Sequence, residues 1–418
     1  MALDSISLGQ VRAKSRRRTM ITTTKAGLRI SQPHGENLSV VSLAIYGVWL
    51  WVQEGNLAIT LHPRHHGFPT EEANYRDYRI GWICALPKEL TVAIAMLDEQ
   101  HERLPASDRD DNTYVFGEIE NHNVVISCMP LGMTGNAPAA LVAKDLLYSF
   151  RHLQFYLMVG IGSGAPSEQN DIRLGDVVVS APTGQHGGVV QYDFGKTLAD
   201  GVFHRTGTLN RPPSTLLSTL SYLRSNYELL GQPNFLRHLS AASSRYHHRA
   251  AAFPYPSTLS DTLFEADYDH AKPLQPCEAG CDYGRVIARA HRANNYPSVF
   301  FGNIASANQV IRHGLTRDRI AREHNVLCFE MEAAGLMDQF PCLVIRGISD
   351  YADSHKDDRW QDYASAIAAA FAKDLLLVTP ARAVGDRHHD EHARRQPTRS
   401  RDTDSPGSMI SQSKVDNK

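Results

Sequence analysis

The sequence predicts an α/β domain of three layers, with a mixed, mostly parallel central sheet, over residues 77–380. Three observations support this prediction. Short apolar runs with the composition of buried strands alternate with longer segments of helical periodicity. The order strand, helix, strand recurs along the chain, which is typical of parallel sheets. Polar residues and glycines gather where apolar runs end, and that edge of an open α/β sheet commonly binds ligands.

The first half of the domain contains four predicted strands. The run YRIGWICAL begins at Tyr78, and PKELTVAIAMLDE follows it at helical spacing with Pro87 in the first turn. Residues 123–130 form the second strand, and a turn with glycines leads into a helix at about residues 137–150. Residues 155–166 are predicted to form a strand that runs into the Gly/Ser loop GIGSG, and IRLGDVVVSAP is the fourth strand.

Regularity is lost after Asp193 and returns near residue 298. Residues 197–296 contain one helical segment, Ser214–Leu230, and a stretch rich in Tyr, His and Ser, which together indicate an insertion. The runs SVFFGNIASANQVI and CLVIRGI then predict strands on either side of the acidic segment CFEMEAAG. Residues 360–378 complete the domain as a predicted amphipathic helix.

The two ends of the chain differ from the domain in composition. Residues 1–76 show no clean periodicity, and we interpret them as a poorly structured N-terminal extension. Residues 381–418 are polar and poor in apolar side chains, which predicts a disordered tail with solvated histidines. The apolar run at residues 38–52 is shorter than the roughly 18–20 residues that span a bilayer. A membrane anchor is therefore less favoured than an irregular extension or an unforeseen strand pairing.

The overall composition is that of an ordinary soluble protein. The chain has 418 residues, of which 42% are apolar and 21% charged, and its formal net charge is −2. Nucleic-acid-binding domains usually carry clustered positive charge, so no nucleic-acid partner is expected. Cysteines inside apolar runs are typical of free thiols in a reducing compartment, and we expect a cytoplasmic protein.

Cys277 and Cys281 stand apart in the motif CEAGC. A zinc interpretation of this pair lacks a second pair of ligands at usable spacing. Local packing is therefore the preferred interpretation, and the sequence assigns neither a metal nor a cofactor.

Carboxylates follow several of the predicted strands. Parallel strands end at one edge of a sheet, so four loops should open there: residues 85–89, 131–136, 162–165 and 347–353. Glu89, Glu332 and Asp350 lie at strand-to-helix junctions in or beside these loops. Each has a structural alternative, because a first-turn carboxylate favours the helix dipole and an aspartate can cap a turn. Their coincidence nevertheless predicts one site, in which the role of Glu330 stays open between supporting hydrogen bonds and structure.

Several separated motifs, occurring in order, resemble one superfamily. IGWICALPKEL, GIGSGAPSEQNDIRLGDVVVS, CFEMEAAGLM and CLVIRGISDYADS resemble the purine nucleoside and uridine phosphorylases, specifically their methylthioadenosine/S-adenosylhomocysteine nucleosidase branch. VVQYDFGK, LFEADYDH and NIASANQVIRHGLTRDRIA resemble the N-terminal domains of fungal NACHT, ankyrin and tetratricopeptide proteins. The resemblance covers about residues 77–380. It implies a nucleoside phosphorylase-like fold and cleavage of the N-glycosidic bond of purine nucleosides.

The resemblance also implies roles for residues at the ends of the last two strands. Met331 matches a methionine that packs against ribose, and Glu332 matches a glutamate that accepts hydrogen bonds from the 2′- and 3′-hydroxyls. Asp350, with Ser349 beside it, matches the general acid that protonates N7 of the purine. Burial at a strand end and repulsion from Glu332 would favour the protonated form of Asp350.

Further roles follow from the earlier loops. Glu89 matches the glutamate that activates water in the hydrolytic branch. Ser163 and Gly164 match a Ser/Gly loop near the sugar, and Val310 falls near the position whose backbone meets the base. The motif SAN at residues 306–308 departs from the Ser-Gly-Asp that is common in nucleosidases, which leaves the base and the 5′-group undetermined.

Hydrolysis and phosphorolysis are the two chemistries to be separated. Phosphate needs a cationic cradle, usually arginine forks, and the loops CALPKE and LGMTGN contain no arginine. Water is therefore preferred to phosphate as the co-substrate, although Arg346 or arginines of a partner chain could supply the cradle. We expect a homo-oligomer, because active sites of this family often borrow residues from a neighbour. The remaining alternative is a non-catalytic module for nucleoside sensing or oligomerisation.

Overall fold

The computed structural model describes residues 74–105, 109–272 and 275–381, together with five strands nearer the N-terminus. The chain divides into two units, Met1–Glu72 and Ala73–Lys418. In the first unit, β1 and β2 form an antiparallel pair, and β3, β4 and β5 form a three-stranded antiparallel sheet. These strands are β1 (Met20–Thr24), β2 (Gly27–Ser31), β3 (Val41–Ile45), β4 (Val48–Gln53) and β5 (Asn56–Ile59). The predictions of a poorly structured extension and a disordered tail otherwise fall on residues outside the described ones.

The second unit contains the predicted alternation of strands and helices. Its strands are β6 (Ile80–Cys84), β7 (Glu99–Gln100), β8 (Tyr114–Ile119), β9 (His122–Cys128), β10 (Phe155–Gly164), β11 (Val177–Ser180), β12 (Val189–Gln191), β13 (Gly195–Thr197), β14 (Phe203–Arg205), β15 (Val299–Ser306), β16 (Val326–Glu330) and β17 (Cys342–Asp350). Its α-helices are α1 (Pro87–Met96), α2 (Asn136–Ser149), α3 (Ser214–Leu230), α4 (Leu236–Arg245), α5 (Gly314–His324) and α6 (Gln361–Val378).

The central sheet has ten strands and confirms the predicted α/β class. Its order is β12-β15-β11-β17-β10-β6-β9-β8-β7, and β16 pairs with both β10 and β15. Strands β17, β10, β6 and β9 run parallel to one another. Strand β11 pairs antiparallel with β17, and β8 antiparallel with β9. The sheet is therefore mixed and mostly parallel, as the sequence predicts.

Helix α6 differs from its prediction as an amphipathic helix. Its side chains are buried on nearly every side, from Tyr363 to Leu376, because the helix packs against β17, β10 and α1. Gly347 of β17 allows this close approach, since a Cβ there would lie 1.9 Å from the Ala364 carbonyl oxygen. A fully buried side chain such as Phe371 contributes roughly 1.5–3 kcal/mol of transfer free energy. The small residues of α6 thus serve packing on all faces rather than a solvent-facing stripe.

The predicted Gly/Ser loop at GIGSG is a strand. Strand β10 continues to Gly164, where it pairs with β17 on one side and with Cys328 and Phe329 of β16 on the other. Ladder hydrogen bonds from two neighbours hold the glycines extended, and they outweigh the preference of glycine for turns. Strand β17 likewise reaches Asp350, two residues further than predicted.

Within the described segments of the chain, each helix is too short or too polar to cross a membrane.

Candidate active site

The carboxyl ends of four parallel neighbours lie at one edge of the central sheet. These strands lie side by side in the order β17, β10, β6 and β9. The four loops that the sequence predicts at one edge lie at their carboxyl ends. Glu89 follows β6, Gly135 follows β9, Ser163 and Gly164 end β10, and Asp350 ends β17. The prediction that these loops share an edge is therefore confirmed by the strand order.

Arg346 is a buried cation among the carboxylates of this edge. It lies on β17, with its side chain only 1% exposed, and its Nη2 donates to Glu330 and, at 3.3 Å, to Glu332. Its Nη1 donates to the carbonyl oxygen of Ile161, 3.2 Å away. Burial of a lone guanidinium would be costly, so the carboxylates and the cation stabilise one another.

Glu330 shapes the turn that carries Glu332. Besides accepting from Arg346, its carboxylate accepts the N–H of Glu332 at 3.0 Å and the N–H of Ala333 at 2.9 Å. These bonds hold the backbone immediately after β16, where strand pairing ends. The structure thus gives Glu330 a supporting role, which the sequence left open.

Glu332 is buried but keeps several polar contacts. Its Oε1 accepts the N–H of Gly135 at 3.3 Å, across 197 residues of sequence. Burial raises the pKa of Glu332 to about 7, with Arg346 opposing the shift and Glu330 adding to it. Gly135 has φ of +103°, and a Cβ there would lie 2.7 Å from Asn308 Oδ1, so glycine is required for this approach.

Glu89 is held by three backbone amides. Its Oε2 accepts the N–H of Ala85 at 2.7 Å and of Leu86 at 3.0 Å, and its Oε1 accepts the N–H of Ile161 at 2.8 Å. Burial raises the pKa of Glu89, while Arg346 and these amides oppose the shift. The carboxylate therefore links the loop after β6 to the end of β10, which adds to its favourable position in the first turn of α1.

Asp350 has a cationic neighbour that the sequence did not indicate. Lys356 Nζ donates to its Oδ2 at 2.5 Å, the Ser349 hydroxyl donates to the same oxygen at 3.1 Å, and the Ala352 N–H donates to Oδ1 at 3.0 Å. The charge in contact with Asp350 is thus an ammonium group rather than the carboxylate of Glu332. The expected neighbour, a second carboxylate, is therefore replaced by a cation.

The remaining predicted residues lie at different depths. Ser163 pairs with Asp350 in the register of β10 and β17, and Gly164 follows it. Met331 is half-buried beside Glu332. Val310 is 55% exposed on the segment between β15 and α5. The strand register brings Ser163, Gly164 and Asp350 together, whereas a role for Val310 at the base stays a prediction.

The described part of the second unit contains a small cavity beside Asp350 and a larger one in an ion-pair network. Ser349 and Asp350 line the small one, of about 50 Å³, together with residues of the insertion such as Phe264 and Cys277. Glu89 and Glu332 are not among its lining residues, so a single hollow bordered by all three acids stays a prediction. The other cavity, of about 240 Å³, is lined by the arginines and aspartates of an ion-pair network that includes Arg292 and Asp176.

The sequence did not predict two of the charged residues that contact these acids. Lys356 lies six residues after Asp350 in a loop without periodicity, so no local pattern indicated their contact. Arg346 was considered only as a phosphate ligand, although a single charged residue inside the apolar run CLVIRGI is a signal of a buried partner.

Comparisons with known proteins show which family and which relatives this chain resembles. The family described as the phosphorylase superfamily matches residues 79–378. The chain is 45% identical over 303 residues to a nucleotide-binding leucine-rich repeat (NLR)-like protein of Hyaloscypha variabilis, covering 72% of this chain but 29% of that protein. It is 40% identical over 305 residues to the ATP nucleosidase Cap17 of Escherichia coli, covering 70% of this chain and 50% of the relative. It is 24% identical over 306 residues to a 5′-methylthioadenosine/S-adenosylhomocysteine nucleosidase of Mycobacterium bovis, covering 72% of this chain and 96% of the relative.

Proposed function

Because this chain belongs to the phosphorylase superfamily, we propose that it is an enzyme that cleaves the N-glycosidic bond of purine nucleosides, with water as the acceptor. The observation that supports this most is the arrangement at the carboxyl edge of the sheet. There Glu332 and Glu89 lie near Arg346, and Asp350 ends the strand that carries Arg346. Nucleosidase relatives give the reaction class.

Glu332 is proposed to bind the ribose. A buried carboxylate fixed by Gly135 and Arg346 presents its remaining lone pairs in a fixed direction, as a pair of vicinal hydroxyls requires. Met331 would pack against the sugar, and Ser163 and Gly164 would border it. Such positioning lowers the barrier because the anomeric carbon is held in line with its reactants.

Asp350 is proposed to act as the general acid on N7 of the base. The reaction passes through an oxocarbenium-like state, and protonating the purine lets it leave as a neutral molecule. Lys356 and Ser349 hold the carboxyl in one orientation. In the complex, the Asp350–Lys356 pair would hold a proton next to N7, and Asp350 would transfer it as the glycosidic bond breaks.

Glu89 is proposed to orient the attacking water. Three amides fix its carboxylate: Oε2 accepts two of them, and Oε1, which accepts one, keeps a lone pair for a water molecule. Its pKa, raised by burial, makes it a stronger base than an exposed glutamate.

The charge arrangement favours water over phosphate. Arg346 is directed at Glu330, Glu332 and a backbone carbonyl, so its two terminal nitrogens are used within the protein. Lys88 points toward α6, where it donates to Gln361 at 2.8 Å. Neither cation is oriented as the fork that phosphate recognition requires.

Substrate entry requires a change in the insertion. The cavity beside Asp350 measures about 50 Å³, whereas small-molecule sites typically measure about 300–1,000 Å³. Side chains of the insertion that line this cavity, such as Phe264, would therefore have to move when a nucleoside binds.

Self-association is also proposed. Apolar side chains are exposed after β9 and along α2, among them Leu131 at 86%, Met133 at 47% and Leu141 at 57%. A cluster of this kind beside the site suits an interface with a second copy that completes the site. Light scattering coupled to size-exclusion chromatography tests this, and a monomer at all concentrations would contradict it.

The activity is tested by incubating the protein with adenosine, inosine, uridine and ATP, with and without phosphate, and measuring free base by chromatography. ATP is included because a relative is an ATP nucleosidase and the 5′-group is undetermined. We expect purine release without phosphate and loss of roughly 10²–10⁴-fold in turnover for Asp350→Asn. The matched control is Asp200→Asn, at an exposed aspartate. Strict dependence on phosphate would replace hydrolysis by phosphorolysis.

A second candidate is a sensing module without catalysis. The observation in its favour is the identity to the NLR-like protein, of which the matched segment is 29%. Binding of a nucleoside without release of base from any of the substrates would support this alternative.

A further inference from the structure

One imidazole and two thiols cluster in the insertion, outside the carboxylate site. The ligand atoms of His270, Cys277 and Cys281 all lie within 4.8 Å of one another. Zinc binds cysteine sulfur at about 2.3 Å and histidine nitrogen at about 2.0 Å, which places tetrahedral ligand atoms roughly 3.5 Å apart. Small side-chain rotations would bring the three atoms to that spacing. We propose that these three residues bind a zinc ion.

The backbone already holds the two cysteines together. Cys277 begins a short 3-10 turn, Cys277–Ala279, and the Cys281 N–H donates to the Cys277 carbonyl oxygen at 2.9 Å. Three residues separate the cysteines, which falls within the spacing found in structural zinc sites. The sequence shows no second pair of ligands at usable spacing. In the fold, His270, seven residues before Cys277, supplies a third ligand atom close to the two sulfurs.

His270 is anchored independently of the cysteines. Its backbone N–H donates to the Ser354 hydroxyl at 2.9 Å, in the loop that follows β17. A metal ion held by His270 and the two cysteines would therefore connect the insertion to the loop that leaves Asp350. Cys277 also lines the same cavity as Asp350.

A second imidazole nearby supplies a candidate for the fourth ligand. The ring centre of His355 is 5.2 Å from that of His270, and its side chain is 4% exposed. Among the described residues, neither of its ring nitrogens has a hydrogen-bond partner; the carboxylate of Asp353 is 3.8 Å from Nδ1. Two imidazoles on one tetrahedral ion have ring centres roughly 5 Å apart. His355 would complete the site once its ring turns toward the cluster.

The test measures bound metal in the full-length chain, produced without a histidine tag. The reduced protein is loaded with Zn²⁺, dialysed and analysed by mass spectrometry of the metal. We expect about one zinc ion per chain. The Cys277→Ser/Cys281→Ser variant should lose at least about tenfold in bound zinc, because both thiolate ligands are removed. Cys128→Ser is the matched control and should keep the zinc, since this half-buried thiol ends β9, outside the insertion.

The C-terminal histidines need a separate control. Replacing His388, His389 and His392 by Gln removes the adventitious sites of the tail and should leave the bound zinc unchanged. Zinc that disappears with these substitutions, rather than with those at the cysteines, would overturn the proposal.

Cobalt binding gives an absorption signal that depends on thiolate ligation and not on folding alone. Co²⁺ bound to thiolates produces sulfur-to-metal charge-transfer absorption, which we expect in the wild-type protein and weakened in His270→Gln. This measurement on folded wild-type protein decides the matter even if the double-cysteine variant does not fold. Absence of the band, or a Cys277–Cys281 disulfide that forms equally with and without zinc, would overturn the proposal, because ligated thiolates are protected from oxidation.

Discussion

Replacement of Arg346 by methionine tests the charge cluster at the centre of the site. The side chains of Arg346 and Glu330 are each 1% exposed, and that of Glu332 is 6% exposed. Methionine has a similar length but leaves the carboxylates without their cation. Removing one partner of a buried ion pair costs about 3–5 kcal/mol, because the remaining charge stays buried without compensation.

The expected change is large enough for equilibrium unfolding in urea. Trp82 and Trp360 are both buried and report the transition by fluorescence. With a slope of about 3 kcal/mol/M, as for a domain of this size, the midpoint should fall by roughly 1–1.7 M. The slope itself should stay unchanged if the variant alters stability alone.

Two further variants separate the ion pair from other effects. Glu330→Gln in the Arg346→Met background keeps the acceptor for the amide of Ala333 and removes the orphaned charge, so it should recover about 1–3 kcal/mol. Arg224→Met breaks an exposed pair with Glu228 and should cost about 0.5 kcal/mol or less. A cost below about 1 kcal/mol for Arg346→Met, or no coupling to Glu330, would refute the reasoning.

Three other outcomes are expected. The pKa of Glu332 is about 7 in the folded chain against 4.5 for the unfolded chain, so the folded state binds more protons between these values. The stability that Glu332 contributes is therefore full below pH 4.5 and is lost as pH rises through about 7. The free energy of unfolding, measured from pH 4.5 to 8, should decline, and Glu332→Gln should reduce this decline. Lys356→Met removes the ammonium group that orients Asp350, which should lower turnover at least tenfold; unchanged turnover would argue against Asp350 as the acid. Gly160→Ala places a Cβ 2.3 Å from Glu89 Oε1 and should lower turnover at least tenfold while the far-UV spectrum is retained; unchanged turnover would argue against the role of Glu89.

The sequence predicted most of the elements because their patterns are local. The run of Ile80–Cys84, the proline that starts α1 and the bounds of Ser214–Leu230 follow from periodicity and helix-start chemistry. The shared edge for Glu89 and Asp350 followed in turn, because parallel strands end together. The errors arose where a distant partner decides the conformation. Strand β10 continues through GIGSG because β16 and β17 pair with it.

Only the tertiary structure decided which charges meet. Local periodicity places Arg346 on a strand, but its contact with Glu330 depends on how β16 and β17 meet β10. The contact of Asp350 with Lys356 depends on an irregular loop, and the approach of His270 to Cys277 depends on the folding of an insertion without periodicity. The sequence by itself determined the sheet, the edge at which its parallel strands end and the acids at that edge. Long-range packing decided which charged groups contact these acids and which side chains cluster near Cys277, because burial and proximity are properties of the folded chain.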